Sequence, residues 1–425
     1  MSGRTIRIYC IILAFLWSFI LASYVNAWED QDTESRFKIS GFGTFGIVTS
    51  GSDGLGFRRD MSQRDGVFKG DYSFKTDSLV GLQLGAQIQP KLDAVFQAVL
   101  KNRTGKDLDE NSIEQAFLRY QLKPSFIIRV GRLPINTYIL ADYRNVGFAY
   151  LWARPAVEYY GRIPFTSFDG GDIIYSKRIG NGTLHAEIAG GSGKVIAPLP
   201  EKDVWEVVLK PVMGFNMHYE VNNWHLQTGY AYTRIQTDLP QAEQLSRALT
   251  MVPEYVWPAA GKIEDDLKIK GDELSYYSVG FTFDDNIWLV QSEIAYINSK
   301  FSFQPSEVDG YFSIGRCFKT IIPYLMYSIA RPKSDIREVP APLFPDPTLL
   351  QIQRAVFQIM NLDRVDQKSL AAGAKWDFSD KSNLKLQLDR TWIKGNGTRH
   401  WETSDKFHGQ DRTINTISCN LNFIF

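Results

Sequence analysis

Past its first two dozen residues the chain has no continuous apolar run of the ~20 residues that a membrane-spanning helix requires. Cysteine is scarce, with three in 425 residues, which excludes a small disulfide-stapled scaffold. An excess of charge is missing as well: 47 basic side chains face 47 acidic ones, so nothing electrostatic points to nucleic acid. The five histidines, His185, His218, His225, His400 and His408, sit in no H-E-x-x-H, no serine lies in G-x-S-x-G, and Cys/His zinc spacing is absent. His400 and His408 share one stretch, but two histidines eight positions apart are not a ligand spacing. Catalysis, a cofactor and a metal centre therefore have no support in the sequence.

The one apolar run, residues 8–22, follows Arg4 and Arg7 and is too short to span a bilayer with ease. Val25-Asn26-Ala27 then offers a small residue where a signal peptidase cuts, so the expectation is an export signal removed after Ala27. Cys10 leaves with it. Cys317 and Cys419 are then the only pair available to an oxidising compartment, and they read as two small apolar residues rather than a disulfide.

What the chain has in quantity is alternation. The last stretch, residues 413–425, places Phe425, Phe423, Leu421, Cys419 and Ile417 on one face and Asn422, Asn420, Ser418 and Thr416 on the other. That is the period of a strand, and its apolar face runs to the final residue. Residues 79–89 and 92–101 repeat the pattern around Pro90-Lys91, and short turns such as Ile179-Gly180-Asn181-Gly182, Val221-Asn222-Asn223, Asp284-Asp285-Asn286 and Ser379-Asp380-Lys381-Ser382 recur between strand pairs. Much longer connections lie between the pairs. The count is sixteen strands, the others near 37–48, 112–122, 125–132, 171–178, 183–193, 205–220, 224–234, 272–283, 287–300, 310–318, 321–331, 369–378 and 383–393. Apolar-out, polar-in strands with short turns at one rim and long loops at the other describe an all-β, closed transmembrane antiparallel barrel. Aromatics make up 13% of the chain; Trp224, Tyr230, Tyr232, Trp288, Tyr296, Trp376 and Trp392 are expected near strand ends, as interfacial girdles. Gly41, Gly43 and Gly46 form G-x-G-x-x-G, but a loop rather than a helix follows, so they read as points of close backbone approach instead of a dinucleotide site.

A closing amphipathic strand ending in Phe resembles the terminal strand of Gram-negative outer-membrane barrels, and the general porin superfamily in particular. The resemblance extends to Gly131-Arg132 and the long connection after it, residues 132–170, rich in Tyr, Trp and charge. In general porins that third loop folds into the lumen and narrows the pore. The resemblance thus implies a constriction built by Asp142, Arg144, Arg154, Glu158, Arg162 and Asp169 on the loop, facing Arg119 and Arg129 on the wall, with Tyr138, Tyr143, Tyr150, Trp152, Tyr159 and Tyr160 holding it. The family's usual P-E-F-G-G stretch is missing, and Arg and acid are nearly balanced, so the loop departs from the pattern of acids facing a basic wall. The lean is to anions, from Arg119, Arg129, Arg144, Arg154 and Arg162; the competing account is that these Arg pair with acids and pin the loop.

The implied protein is a barrel in the outer membrane, residues 28–425, with both termini periplasmic. It is expected to be a homotrimer in contact with outer-membrane lipid and the barrel assembly machinery, passing small hydrophilic solutes and ions without cofactor. A channel selective for a sugar, phosphate or organic acid, and a loop-presenting adhesin or receptor barrel, are the alternatives. Two later loops, residues 239–252 and 348–360, carry helical spacing, as in Leu349, Ile352, Val356, Phe357 and Met360. A short helix over the barrel mouth is expected from each, or a partner contact. A Pro-rich segment, residues 339–347, leads stiffly into the second.

Overall fold

The computed structural model describes residues 36–104, 112–162, 166–199 and 204–425; the expected export signal and its cleavage site lie outside them. Residues 39–425 form one compact unit, and among the described residues no helix is long and apolar enough to cross a membrane. Sixteen strands close into an antiparallel barrel. In chain order they are β1 Phe37–Ser50, β2 Leu79–Gln89, β3 Leu92–Lys101, β4 Ile113–Lys123, β5 Phe126–Pro134 and β6 Ser167–Ile179. Then follow β7 Gly182–Pro198, β8 Val204–Val221, β9 Trp224–Ile235, β10 Glu273–Asp284 and β11 Trp288–Ser299. The last are β12 Glu307–Arg316, β13 Ile321–Pro332, β14 Val365–Ser379, β15 Ser382–Thr398 and β16 Arg412–Ile424.

Alternation decides which way each side chain points. Leu84, Leu118, Val130, Ile188, Val279, Leu325, Leu386 and Ile417 are exposed large apolar residues on the outer face, while Asn383, Lys385, Asn420 and Asn422 on the inner face are buried. A soluble protein would reverse this arrangement. The tight turns hold the residues that such turns need: Asn222, Asn286, Lys319 and Gly180 all have positive φ. Trp224, Trp288 and Trp376 stand exposed near the ends of their strands, whereas Tyr230 lies in the middle of β9 and packs, tilted by 45°, on Tyr277 of β10 with ring centroids 5.0 Å apart.

Closure occurs where β1 meets β16, in the register Gly43 to Phe423 and Gly46 to Asn420. A Cβ on Gly41 would collide with the Phe425 ring, and one on Gly43 with the Phe423 ring. The glycine spacing therefore serves the seam: two strand glycines expose backbone that two rings of the neighbouring strand cover. Cys317 and Cys419 are both free.

Strands run further toward the long-loop rim than alternation alone predicts. β7 continues to Pro198, β12 begins at Glu307 and β14 at Val365, because small and charged residues there break the pattern without breaking the ladder. Helices α1 Pro240–Thr250 and α3 Pro347–Met360 occupy the two loops with helical spacing. Asp346 caps α3 by accepting from the Thr348 and Leu349 amides at 2.8 and 2.9 Å. A third helix, α2 Ala260–Asp266, was not signalled by periodicity. The helices pack with Leu249, Trp257, Ile263, Val356 and Met360 into an apolar cap continuous with Val207, Leu209 and Ile235 of the barrel. Two further short strands, Leu55–Phe57 and Trp401–Thr403, pair with each other and tie the first loop to the last.

Candidate functional site: the folded third loop

Because β5 runs to Pro134 and β6 begins at Ser167, the third connection is residues 135–166. Its described part, residues 135–162, lies inside the barrel, against the inner wall of β11 to β16 and β1. Its aromatics are the fastening. Tyr138, Tyr150, Trp152, Tyr159 and Tyr160 are buried with Tyr311 and Tyr324 of the wall, in edge contacts such as Trp152 on Tyr311 at 5.3 Å and Tyr159 on Tyr311 at 5.5 Å. Trp152 Nε1 donates to Ser313 Oγ at 2.6 Å.

Arg154, Glu158 and Arg162 of the loop are bound to the wall as well, and Arg144 to the loop itself. Arg154, with a side chain 2% exposed, grips Asp77 with bonds of 2.8 to 3.2 Å. It also donates to Asp389 at 3.1 Å and lies 4.7 Å over the Phe57 ring. Glu158 accepts from Ser328 at 2.6 Å, from Gln367 at 2.8 Å and from Ser369. Arg162 donates to Glu307 through Nε at 2.8 Å and sits 3.6 Å from Asp363. Arg144 is buried, donating to the Tyr138 hydroxyl at 3.3 Å and the Tyr160 carbonyl at 3.2 Å. A charge buried with its partner contributes little net field.

Asp142 differs, being the loop acid of this set whose side chain remains exposed. It lies within the field of Arg129 and Asp172, so it borders the open side of the lumen. On that facing wall Arg129 holds Asp172 with bonds of 2.6 and 3.0 Å and approaches Glu187 at 3.4 Å. Arg119 pairs with Asp93 at 2.9 Å, both about a third exposed. Asp169 is not part of the loop. It belongs to β6, on the strand face opposite Asp172, and pairs with Arg132 at 2.8 Å.

Four groups that fix the loop were not among the residues singled out from sequence. Glu293 of β11 accepts from the Ile139 amide at 2.9 Å, from Tyr311 at 2.8 Å, from Tyr159 at 3.2 Å and from Tyr160. Burial, then the Glu293 carboxylate, pushes the phenols of Tyr159 and Tyr160 above their ordinary range. Lys385 of β15, fully buried, donates to the carbonyls of Gly147, Tyr150 and Trp152. Asp77 and Glu307 complete the set. Alternation puts Glu293, Lys385 and Glu307 on the inner face, but it cannot give the height at which they meet the loop.

A further row lines the inner wall toward the short turns. His185 of β7, His218 of β8 and His225 of β9 stack in sequence, with ring centroids 4.5 and 5.2 Å apart.

No family model matches the sequence and no curated protein is similar to it. Among solved structures, Salmonella typhi OmpF in complex with daunomycin superposes with a TM-score of 0.53 at 12% identity, over 92% of this chain and 97% of that one. The anion-selective porin from Comamonas acidovorans gives 0.51 at 10% identity, over 92% and 99%. The outer membrane channel DcaP of Acinetobacter baumannii gives 0.51 at 10% identity, over 93% and 99%. At these identities the likeness is one of fold: the chain has the sixteen-stranded barrel fold of the Gram-negative porins.

Proposed function

We propose that this chain is a passive outer-membrane channel for small hydrophilic solutes and ions. The observation that carries the reading is the barrel's inverted polarity, apolar outward and polar inward, with the third loop folded across its interior. A closed sheet leaves no unpaired edge in lipid, and the outer belt of Leu84, Val130, Ile188, Val279 and Ile417 suits the hydrocarbon. In this reading residues 1–27 are the export signal and residues 28–425 the mature barrel, with the third loop between Pro134 and Ser167 supplying the constriction. The long loops lie outside the cell and both termini in the periplasm. The strand ending at Phe425 is what the assembly machinery reads, and the working unit is a homotrimer. The protein is not an enzyme and uses no cofactor.

The charge that solutes meet is set by the exposed side of the gap. Arg129, Arg144, Arg154 and Arg162 are buried against partners, so the lean to anions loses four of its five supports. Across the gap Arg129, Asp172 and Glu187 are likewise buried and paired, which leaves the part-exposed Arg119 and Asp93 and the exposed Asp142, one cation against two carboxyls. That balance favours a modest preference for cations. Purified protein reconstituted in planar bilayers tests the reading: discrete, voltage-independent conductance steps are expected. A silent bilayer at verified insertion would instead support a plugged receptor barrel.

A further inference from the structure

A second space in the lumen differs from the charged gap. It lies near the long-loop rim, between the inner wall of β7 to β11 and the start of the folded loop at Ile135 and Thr137, and is a half-open recess of about 220 Å³. Its lining is aliphatic and aromatic, as in Trp205, Val207, Leu209, Ile235, Ile297 and Phe303. Water in such a space finds few partners, and a wall serving hydrated ions alone gains nothing from it.

The polar groups at the margin are nearly all engaged. Asp363 accepts from Arg399 at 3.1 Å and lies 3.6 Å from Arg162, and the Tyr276 hydroxyl donates to Tyr159 at 2.9 Å. Thr233 is the exception. Its side chain lines the cavity, the residue is 8% exposed, and Oγ1 has no hydrogen-bond partner. A buried hydroxyl left alone is costly, so its persistence points to something that completes it.

We infer that this cavity is a binding site for a compact, neutral, mostly apolar molecule carrying one hydrogen-bonding group that meets Thr233 Oγ1. A dry cavity of ~150 Å³ with walls of this kind accommodates benzene. The larger volume here fits a monocyclic ring with a hydroxyl and a small substituent. Neutrality follows from the margin, where Arg399 pairs with Asp363 and Arg162 with Glu307, which leaves no free charge to a ligand ion. The site rests on the channel reading in one respect, that its ligand enters through the lumen.

The test uses the whole barrel purified in detergent, with 4-fluorophenol as the probe followed by fluorine NMR. Saturable binding is expected, weaker by about fivefold in the nearly isosteric Thr233→Val, the loss of one neutral hydrogen bond. Fluorobenzene should bind both proteins equally. Ala231→Leu, which projects into the cavity, should abolish the saturable component. Partition of the probe into micelles is the same for all three proteins, so differences read the cavity. Absence of saturable binding, or binding indifferent to both substitutions, overturns the site even where bilayer conductance is normal. Binding with the expected pattern in a barrel that conducts nothing upholds the site and overturns the channel.

Discussion

Replacing Arg154 with Met separates a loop that is pinned by charge from one that merely presents charge to the pore. The guanidinium is 2% exposed and its partners Asp77 and Asp389 have side chains 1% and 12% exposed. Removal leaves two carboxylates in a low-dielectric site without a counter-ion, a change that costs about 3–5 kcal/mol when a buried pair is broken on one side. Residual donors put the value toward the lower end, since Asn420 still reaches Asp77 at 3.3 Å and Gln387 reaches Asp389 at 2.7 Å. Arg119→Met is the internal control. Its ion pair with Asp93 is about a third exposed, so the expected loss is ~0–1 kcal/mol. Urea unfolding of the purified barrel, followed by tryptophan fluorescence, measures the global part. Limited proteolysis of residues 135–162 measures the part lost if the loop undocks alone. Arg154→Met should also raise single-channel conductance and noise, and Asp77→Asn should recover part of the stability in the double variant. Equal stability of Arg154→Met and Arg119→Met, with no new cleavage in the loop, would refute the pinning.

Other expectations concern protons and the seam. His400 is 1% exposed with neither ring nitrogen bonded, and burial, then Arg162, holds its imidazole well below the ordinary range. Its folded state therefore prefers the neutral ring. The stability it permits is complete above pH ~6.5, where the unfolded imidazole is also neutral. It then falls by about 1.4 kcal/mol per pH unit as the pH drops toward the folded value. Urea midpoints between pH 7.5 and 5 should show this slope, and His400→Phe should flatten it. Gly43→Val puts a branched side chain where the Phe423 ring lies, so the heat-resistant folded species on gel electrophoresis should be largely lost, while Thr49→Val near the other end of β1 should fold normally.

Most of the barrel was legible because its signal is local. Every second residue of β16, from Ile417 to Phe423, declares a face, and Asn222, Asn286 and Gly180 mark the turns that set the register. Strand ends were less legible, since Asp366 to Lys368 in β14 and Gly190 to Gly193 in β7 carry no alternation. The site was legible only in outline. The aromatic and charged character of residues 135–166 signals a loop packed on something, yet only the closed barrel brings Arg154 to Asp77 and Asp389, or Glu158 to Ser328 and Ser369. Long-range partners of this kind leave no periodicity. For the same reason Glu293 and Lys385, each one inward residue among many, could not be told from the rest of the wall, and Asp169 could not be assigned to β6 rather than to the loop.

The reversal potential of the wild-type protein in a planar bilayer under a KCl gradient tests the central claim most directly. An open channel with a modest preference for potassium is predicted, because the exposed gap holds more carboxyl groups than guanidinium groups. A strong preference for chloride, or no channel at all, would contradict it.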